Sequence, residues 1–223
     1  MSLAAVILVV TATAGFRHDS IPTAEGVIAG LAPRLGASVV FARTEDEMAR
    51  TLNAEVLRGV DVVMFVNTTG ELDVPRRDDL LQWIAGGGSF IGLHSASDTW
   101  HAWPAYIDML GAEFESHPDQ YVAQIDVVDP AHPATAPLAS PHAMLEEIYN
   151  LKNFDPARVR PLLATDGRVI AWCKDYGAGR VFYTALGHRI DVWQSEWFAN
   201  HLAGAISWAL RHDELPRRRA AGH

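Results

Sequence analysis

Four short apolar runs recur in the first half of the chain, at residues 4–10, 37–41, 61–66 and 89–93. Each has the length of a strand, and in each the apolar residues run continuously rather than at alternate positions. That pattern belongs to strands covered on both faces, as in a parallel sheet with helices packed on either side. The stretches between them read as helices. Ser20 before Ile21-Pro22 predicts an N-cap with proline in the first turn, and Pro75 predicts the start of a helix carrying Leu80, Leu81, Trp83 and Ile84. Gly86-Gly87-Gly88 ends that helix and launches the fourth run. The first half is therefore expected to be βαβαβαβα.

Beyond about residue 112 the texture changes. Segments 121–129, 146–151, 160–165, 169–173 and 180–185 alternate or are punctuated by proline, which predicts antiparallel additions and the closing strands of the same sheet. Residues 196–210 place Trp197, Phe198, Leu202, Ile206 and Leu210 at helical spacing, on one face that should pack back onto the sheet. No repeat or linker interrupts the chain, so one α/β domain is expected over residues 1–212, followed by a basic tail at 213–223 containing Arg217-Arg218-Arg219.

Composition narrows the classes of partner. Of 223 residues, 49% are hydrophobic and 20% charged, enough for one large core. The N-terminal LAAVILVV reads as a buried strand rather than an export signal, and no run reaches the length of a membrane span, so no membrane partner is expected. A net charge of −9 lacks the electrostatic footprint of a nucleic-acid binder. The lone Cys173 excludes an internal disulfide and a cysteine zinc cage, and fits a reducing, cytoplasmic compartment. Assembly as a homo-oligomer stays open.

In open parallel sheets ligands bind beyond the carboxyl ends of the strands. That rule selects the loops at 13–20, 67–71, 94–98 and 187–189. Gly92-Leu93-His94-Ser95-Ala96 has the layout of a strand, tight turn and helix that lifts its central side chain, here an imidazole, to the head of the sheet. The amides after it, beginning at Ser95, could steady developing negative charge. His188, after the last strand, should reach the same crevice. Two imidazoles converging from distant positions suit proton transfer near neutral pH or a metal. Asp98 could orient His94, and Glu147 supplies a carboxylate. Arg17, His18, Asn67, His117 and Tyr149 are further candidates for holding substrate. Trp172, with Trp100 and Trp103, could offer aromatic faces to a sugar. His94, His117 and His188 are the candidate ligands for a divalent metal such as zinc, although no tight spacing such as HExxH supports one. Each has a plainer reading: a turn histidine satisfying backbone groups, an arginine clamping a loop, an acid favoured in a first helical turn, or a core tryptophan. The remaining histidines, at 101, 132, 142, 201, 212 and 223, are assigned structural or solvated roles.

The chain resembles the ThuA-like (trehalose utilisation) family of the class I glutamine amidotransferase-like superfamily. The residues that carry the likeness are Gly15-Phe16-Arg17-His18 with Ile21-Pro22, Gly92-Leu93-His94-Ser95-Ala96-Ser97-Asp98, Glu147-Ile148-Tyr149, and Trp172 with the stretch from Tyr176 to His188. The resemblance implies a flavodoxin-like three-layer fold with a mainly parallel central sheet, and a link to sugar catabolism. In the parent superfamily a cysteine at the elbow works with a histidine after the last strand. Here His94 stands at the elbow and Cys173 lies inside a predicted strand, so glutamine hydrolysis is not expected. The expected function is an enzyme acting on a disaccharide, glycoside or oxidised sugar, with His94, His188, Asp98 and Glu147 at its centre. The rival is a non-catalytic carbohydrate-binding or regulatory module. The first expects His94→Ala to abolish turnover and leave the melting temperature nearly intact.

Overall fold

The computed structural model describes residues 4–212; the basic tail lies outside the described residues. The first half runs β1 (Ala5–Val10), α1 (Ile21–Leu31), β2 (Ala37–Ala42), α2 (Glu45–Thr51), α3 (Ala54–Leu57), β3 (Val62–Val66), α4 (Asp78–Ala85), β4 (Ser89–Leu93) and α5 (Pro104–Leu110). The second half adds β5 (Glu113–Ser116), β6 (Tyr121–Val127), β7 (His142–Glu146), β8 (Asn150–Lys152), β9 (Arg160–Thr165), β10 (Arg168–Tyr176) and β11 (Gly179–Thr184). Helices α6 (Ile190–Gln194) and α7 (Glu196–Ala209) close the described chain.

One nine-stranded sheet carries the order β2-β1-β3-β4-β11-β10-β9-β6-β7. Its first five strands pair in parallel, and from β10 onward each neighbour is antiparallel. The order β2-β1-β3-β4 followed by β11 is the flavodoxin-like arrangement that the family resemblance implies, and its parallel pairing is the one expected from the apolar runs. Burial follows position in the sheet: every residue of β3 and β4 is buried, whereas β6 alternates buried and exposed, as a strand with one wet face does. Strands β5 and β8 form a separate antiparallel pair. Helix α7 buries Trp197, Phe198, Leu202 and Ile206 as its spacing predicts, together with His201. No helix among the described residues is long and apolar enough to cross a membrane.

The structure departs from the expectations in several places. Ser20 precedes α1 but makes no side-chain cap, because its hydroxyl is engaged with Asn67 and Gly187. Pro75 stands three residues ahead of α4, in turn structure. The strand expected at 146–151 is broken: β7 ends at Glu146, β8 begins at Asn150, and residues 147–149 leave both ladders. The break has a physical cause. The buried Glu146 carboxylate accepts the backbone N–H of Glu147 through one oxygen and that of Gly187 through the other, drawing the chain across to the loop after β11. Trp172, expected at the site, is fully buried in β10, where it gives its indole N–H to Leu110 O and packs on Tyr183 and Phe154. Trp100 and Trp103 likewise pack in the core against Tyr106.

Candidate functional site

Strands β4 and β11 lie side by side in parallel, with Leu93 opposite Thr184, so the residues that follow them emerge at one edge of the sheet. His94 comes first after β4 and takes a left-handed backbone conformation, φ +49°. The five-residue 3-10 turn His94–Asp98 that follows replaces the helix expected there, and it is too short to aim a helix dipole at a ligand. His94 is fully buried. Its Nδ1 lies 2.8 Å from Ala185 O, and since a carbonyl only accepts, the ring proton sits on Nδ1. The Nε2 lone pair therefore points outward into a cluster of polar atoms.

That cluster draws on distant segments. The Tyr149 hydroxyl donates to His94 Nε2 at 2.8 Å. His188 Nδ1 stands 3.3 Å from the same nitrogen, and Glu147 Oε2 stands 3.4 Å from it. His188 Nδ1 and Glu147 Oε2 are 3.2 Å apart. Glu147 Oε1 faces His117 Nδ1 at 3.2 Å on the other side of the carboxylate. The His18 ring packs edge-on against both other rings, with centroid distances of 4.8 Å to His94 and 5.1 Å to His188.

The backbone under these groups is tied down unusually well. The Gly187 carbonyl accepts from Ser20 Oγ at 3.3 Å, Asn67 Nδ2 at 3.0 Å and Trp193 Nε1 at 2.8 Å. Gly187 has φ +120°, a conformation that disfavours any residue with a Cβ. Glu146 bridges the two remaining supports, receiving Glu147 N–H at 2.8 Å and Gly187 N–H at 3.1 Å. Loops after β1, β3, β7 and β11 are thereby locked together, which is how functional groups are held on a rigid frame.

The environment drives these groups to different protonation states. Burial, then repulsion from His94 and His188, lowers His18 to about 3, so it stays neutral. Glu147 is pushed up by burial, but the neighbouring His188 and His94 rings outweigh this and hold its carboxyl well below the usual range. His188 is lowered by burial and raised more strongly by its bond to Glu147, with a net rise. An imidazole favoured to hold a proton, a carboxylate and a neutral imidazole thus sit within a few ångströms. Such separation of states is what proton-transfer sites are built from.

A cleft of about 390 Å³ opens over the cluster, lined by Phe16, His18, Gln120, His188, Arg189 and Asp191 among others. Phe16 is 66% exposed at its rim and touches the His18 ring edge-on. Arg189 donates to Gln120 at 2.7 Å and pairs with Asp191.

Of the residues singled out in the sequence, His94, His188, Glu147, His18, Tyr149 and His117 meet here. Asn67 supports the site through Gly187, and its Oδ1 is buried without a partner. Ser95 is buried, with an unpartnered hydroxyl. Asp98 does not orient His94: it bonds His101 Nε2 at 2.7 Å, and His101 Nδ1 meets Glu113 at 2.6 Å, a separate network that gives His101 a stronger part than the plain one expected. Arg17 is not at the cluster, because its guanidinium donates to Thr11 O and lines a different depression with Arg43 and Glu45. Cys173 is buried, and burial raises its thiol to about 11, far from a nucleophile. Glu146, Phe16, Gln120 and Arg189 also belong to the site or its cleft, beyond the residues that the sequence marks as candidates. Tandem Glu146-Glu147 was visible, yet nothing local says which carboxylate faces the imidazoles.

The fold and site together define a flavodoxin-like α/β protein with an imidazole, not a thiol, on the turn after β4. The chain belongs to the ThuA family, described as trehalose utilisation, whose model matches residues 6–209. A ThuA-like protein from Parabacteroides merdae ATCC 43184 is similar in structure, with TM-score 0.76 and 17% identity over 94% of this chain and 91% of that one. Another from Bacteroides uniformis ATCC 8492 has TM-score 0.71 and 18% identity, covering 92% and 91%. The same fold matches 31% of a β-galactosidase from Bacillus circulans, with TM-score 0.62, 11% identity and 94% of this chain covered. No curated protein matches the sequence.

Proposed function

We propose that this protein is an enzyme of sugar utilisation that moves protons on a disaccharide, glycoside or keto sugar held in the cleft beneath Phe16. The observation that supports it is the convergence of His18, His94, His188, Glu147 and Tyr149 at the open edge of the sheet. A sugar presents an apolar C–H face and a rim of hydroxyls. Phe16 offers an aromatic surface for the first, and Gln120, Arg189 and Asp191 offer donors and acceptors for the second. Proton transfer beside a carbonyl, or at a glycosidic oxygen, needs an acid and a base in one site. The His188–Glu147 pair carries a proton, while the lone pair of His94 Nε2 can receive one. The family's description as trehalose utilisation points to the same substrate class. The reducing cytoplasm suits such a protein, since the Cys173 thiol stays buried and unpaired.

The test is incubation with a panel of disaccharides and their 3-keto forms, following products by mass spectrometry, with His188→Ala and Glu147→Gln alongside. Turnover by the wild type and its loss in both variants is expected. His94→Ala is a poorer probe than the sequence implied, because a fully buried side chain at φ +49° cannot be removed without disturbing the turn. Ligands that raise the melting temperature while no product ever forms would replace this reading with a carbohydrate-binding module.

A further inference from the structure

The same cluster has the dimensions of a metal centre. His94 Nε2, His188 Nδ1 and Glu147 Oε2 form a triangle with sides of 3.2, 3.3 and 3.4 Å. A tetrahedral ion with bonds of about 2.0–2.1 Å requires its donors roughly 3.3–3.4 Å apart, so the triangle already has the edge length of a coordination tetrahedron. His18 supplies a fourth donor, and one ligand atom from each of the four residues lies within 4.8 Å of all the others.

The supporting bonds agree. The Nδ1–H of His94 is committed to Ala185 O, the outer hydrogen bond that fixes a ligating imidazole with its Nε2 lone pair turned inward. That lone pair and the Glu147 carboxylate, both acceptors, face each other at 3.4 Å. The Tyr149 hydroxyl now donates to that lone pair and would turn aside for a cation, while His188 Nδ1 has a single proton to offer Glu147. His18 Nδ1 is buried with no hydrogen-bond partner. A cation satisfies every one of these lone pairs at once. His117, expected as a ligand, is excluded by direction. Its Nδ1 faces two acceptors, Pro118 O at 3.0 Å and the far oxygen of Glu147, and so carries a proton.

We propose that His94, His188, Glu147 and His18 bind one divalent cation of the zinc class, with the cleft leaving room for a sugar oxygen to join it. Three imidazoles and a carboxylate, without thiolate, suit zinc, cobalt or manganese rather than magnesium or calcium. The ion would occupy the place now held by the proton between His188 and Glu147. It would polarise a carbonyl or hydroxyl oxygen of the substrate, leaving His117 and Tyr149 beside it for proton transfer. This deepens the sugar-enzyme reading and rests on it for the identity of the substrate, whereas occupancy by metal is measured independently.

The experiment strips the full-length protein with a chelator and titrates it with zinc by calorimetry and with cobalt(II) by visible absorption. Binding of one equivalent is expected, with the intense bands of low-coordinate cobalt. Affinity should fall by more than about 100-fold in His188→Ala and in Glu147→Gln, since losing a ligand costs more than losing its outer support. Glu147→Gln keeps the shape of the side chain, and circular dichroism of each variant controls for folding. His117→Ala, which removes only an outer support of Glu147, should still bind one equivalent and lose less affinity than either ligand variant. Absence of stoichiometric binding by the folded wild type would overturn the proposal, as would binding unchanged in both ligand variants. Sugar turnover unaffected by complete removal of metal would sink the metal's role and leave the sugar reading standing. Tight metal binding without any sugar product would do the reverse.

Discussion

Replacing Glu146 by glutamine asks whether this carboxylate is the support that assembles the site. In the wild type both of its oxygens accept, one from Glu147 N–H at 2.8 Å and one from Gly187 N–H at 3.1 Å, and the side chain is fully buried. Burial pushes its carboxyl up in pKa, while the nearby His94 and the two backbone N–H groups pull the other way. Glutamine has the same outline but only one accepting oxygen, so one buried N–H must face an amide NH2. An unsatisfied buried donor costs about 1–3 kcal/mol. For a chain of this length each kcal/mol lowers the melting temperature by roughly 2–4 °C, so a cost of about 2 kcal/mol predicts a fall of roughly 4–8 °C. The two amides belong to Glu147 and to the residue before His188, so those two side chains should shift together. Calorimetric melting and turnover on the same samples check both effects. Glu147→Gln supplies the contrast, losing turnover with a smaller change in melting temperature. If Glu146→Gln melts within a degree of the wild type and turns over normally, the clamp is not what holds the cluster.

Phe16→Ala removes an exposed ring at the mouth of the cleft, so it should raise KM for the sugar several-fold and leave kcat and melting temperature nearly unchanged. His201 is buried in α7 with Nδ1 facing Ala134 O, and burial lowers it to about 4 against the ordinary 6.5. Between those values the unfolded chain binds the extra proton, so this histidine makes stability fall as pH drops from 6.5 towards 4, by up to about 1.4 kcal/mol per unit. Denaturant titrations at pH 7 and pH 5 should show a shallower pH dependence in His201→Gln than in the wild type, and equal slopes would count against the assignment. Cys173, buried and raised to about 11, should resist alkylation in the native protein and react promptly once it is unfolded.

The order of elements was legible because each depends on local pattern. Runs such as Val62–Val66 and Ser89–Leu93 are apolar on both faces whatever surrounds them, and the spacing of Trp197, Phe198, Leu202 and Ile206 marks the buried side of α7. The pairing of His94 with His188 could also be anticipated, since parallel neighbours release their following loops at one edge. Other roles misled for the same reason that they looked convincing. Asp98 is four residues from His94, yet the tight 3-10 turn carries it to His101 instead. Trp172 sits in a strand whose burial on both sides only the finished sheet reveals.

Sequence by itself settled the parallel core, the antiparallel second half, the imidazole at the elbow and the lack of an available thiol, because strand length, periodicity and residue identity are properties of the chain. Only the tertiary structure brought His18 and Glu147 onto His94 and His188, and only it separated Glu146 as support from Glu147 as participant. Those outcomes depend on a break between β7 and β8 held by hydrogen bonds to a loop about forty residues away, and no local pattern records the direction in which such a bend turns its side chains.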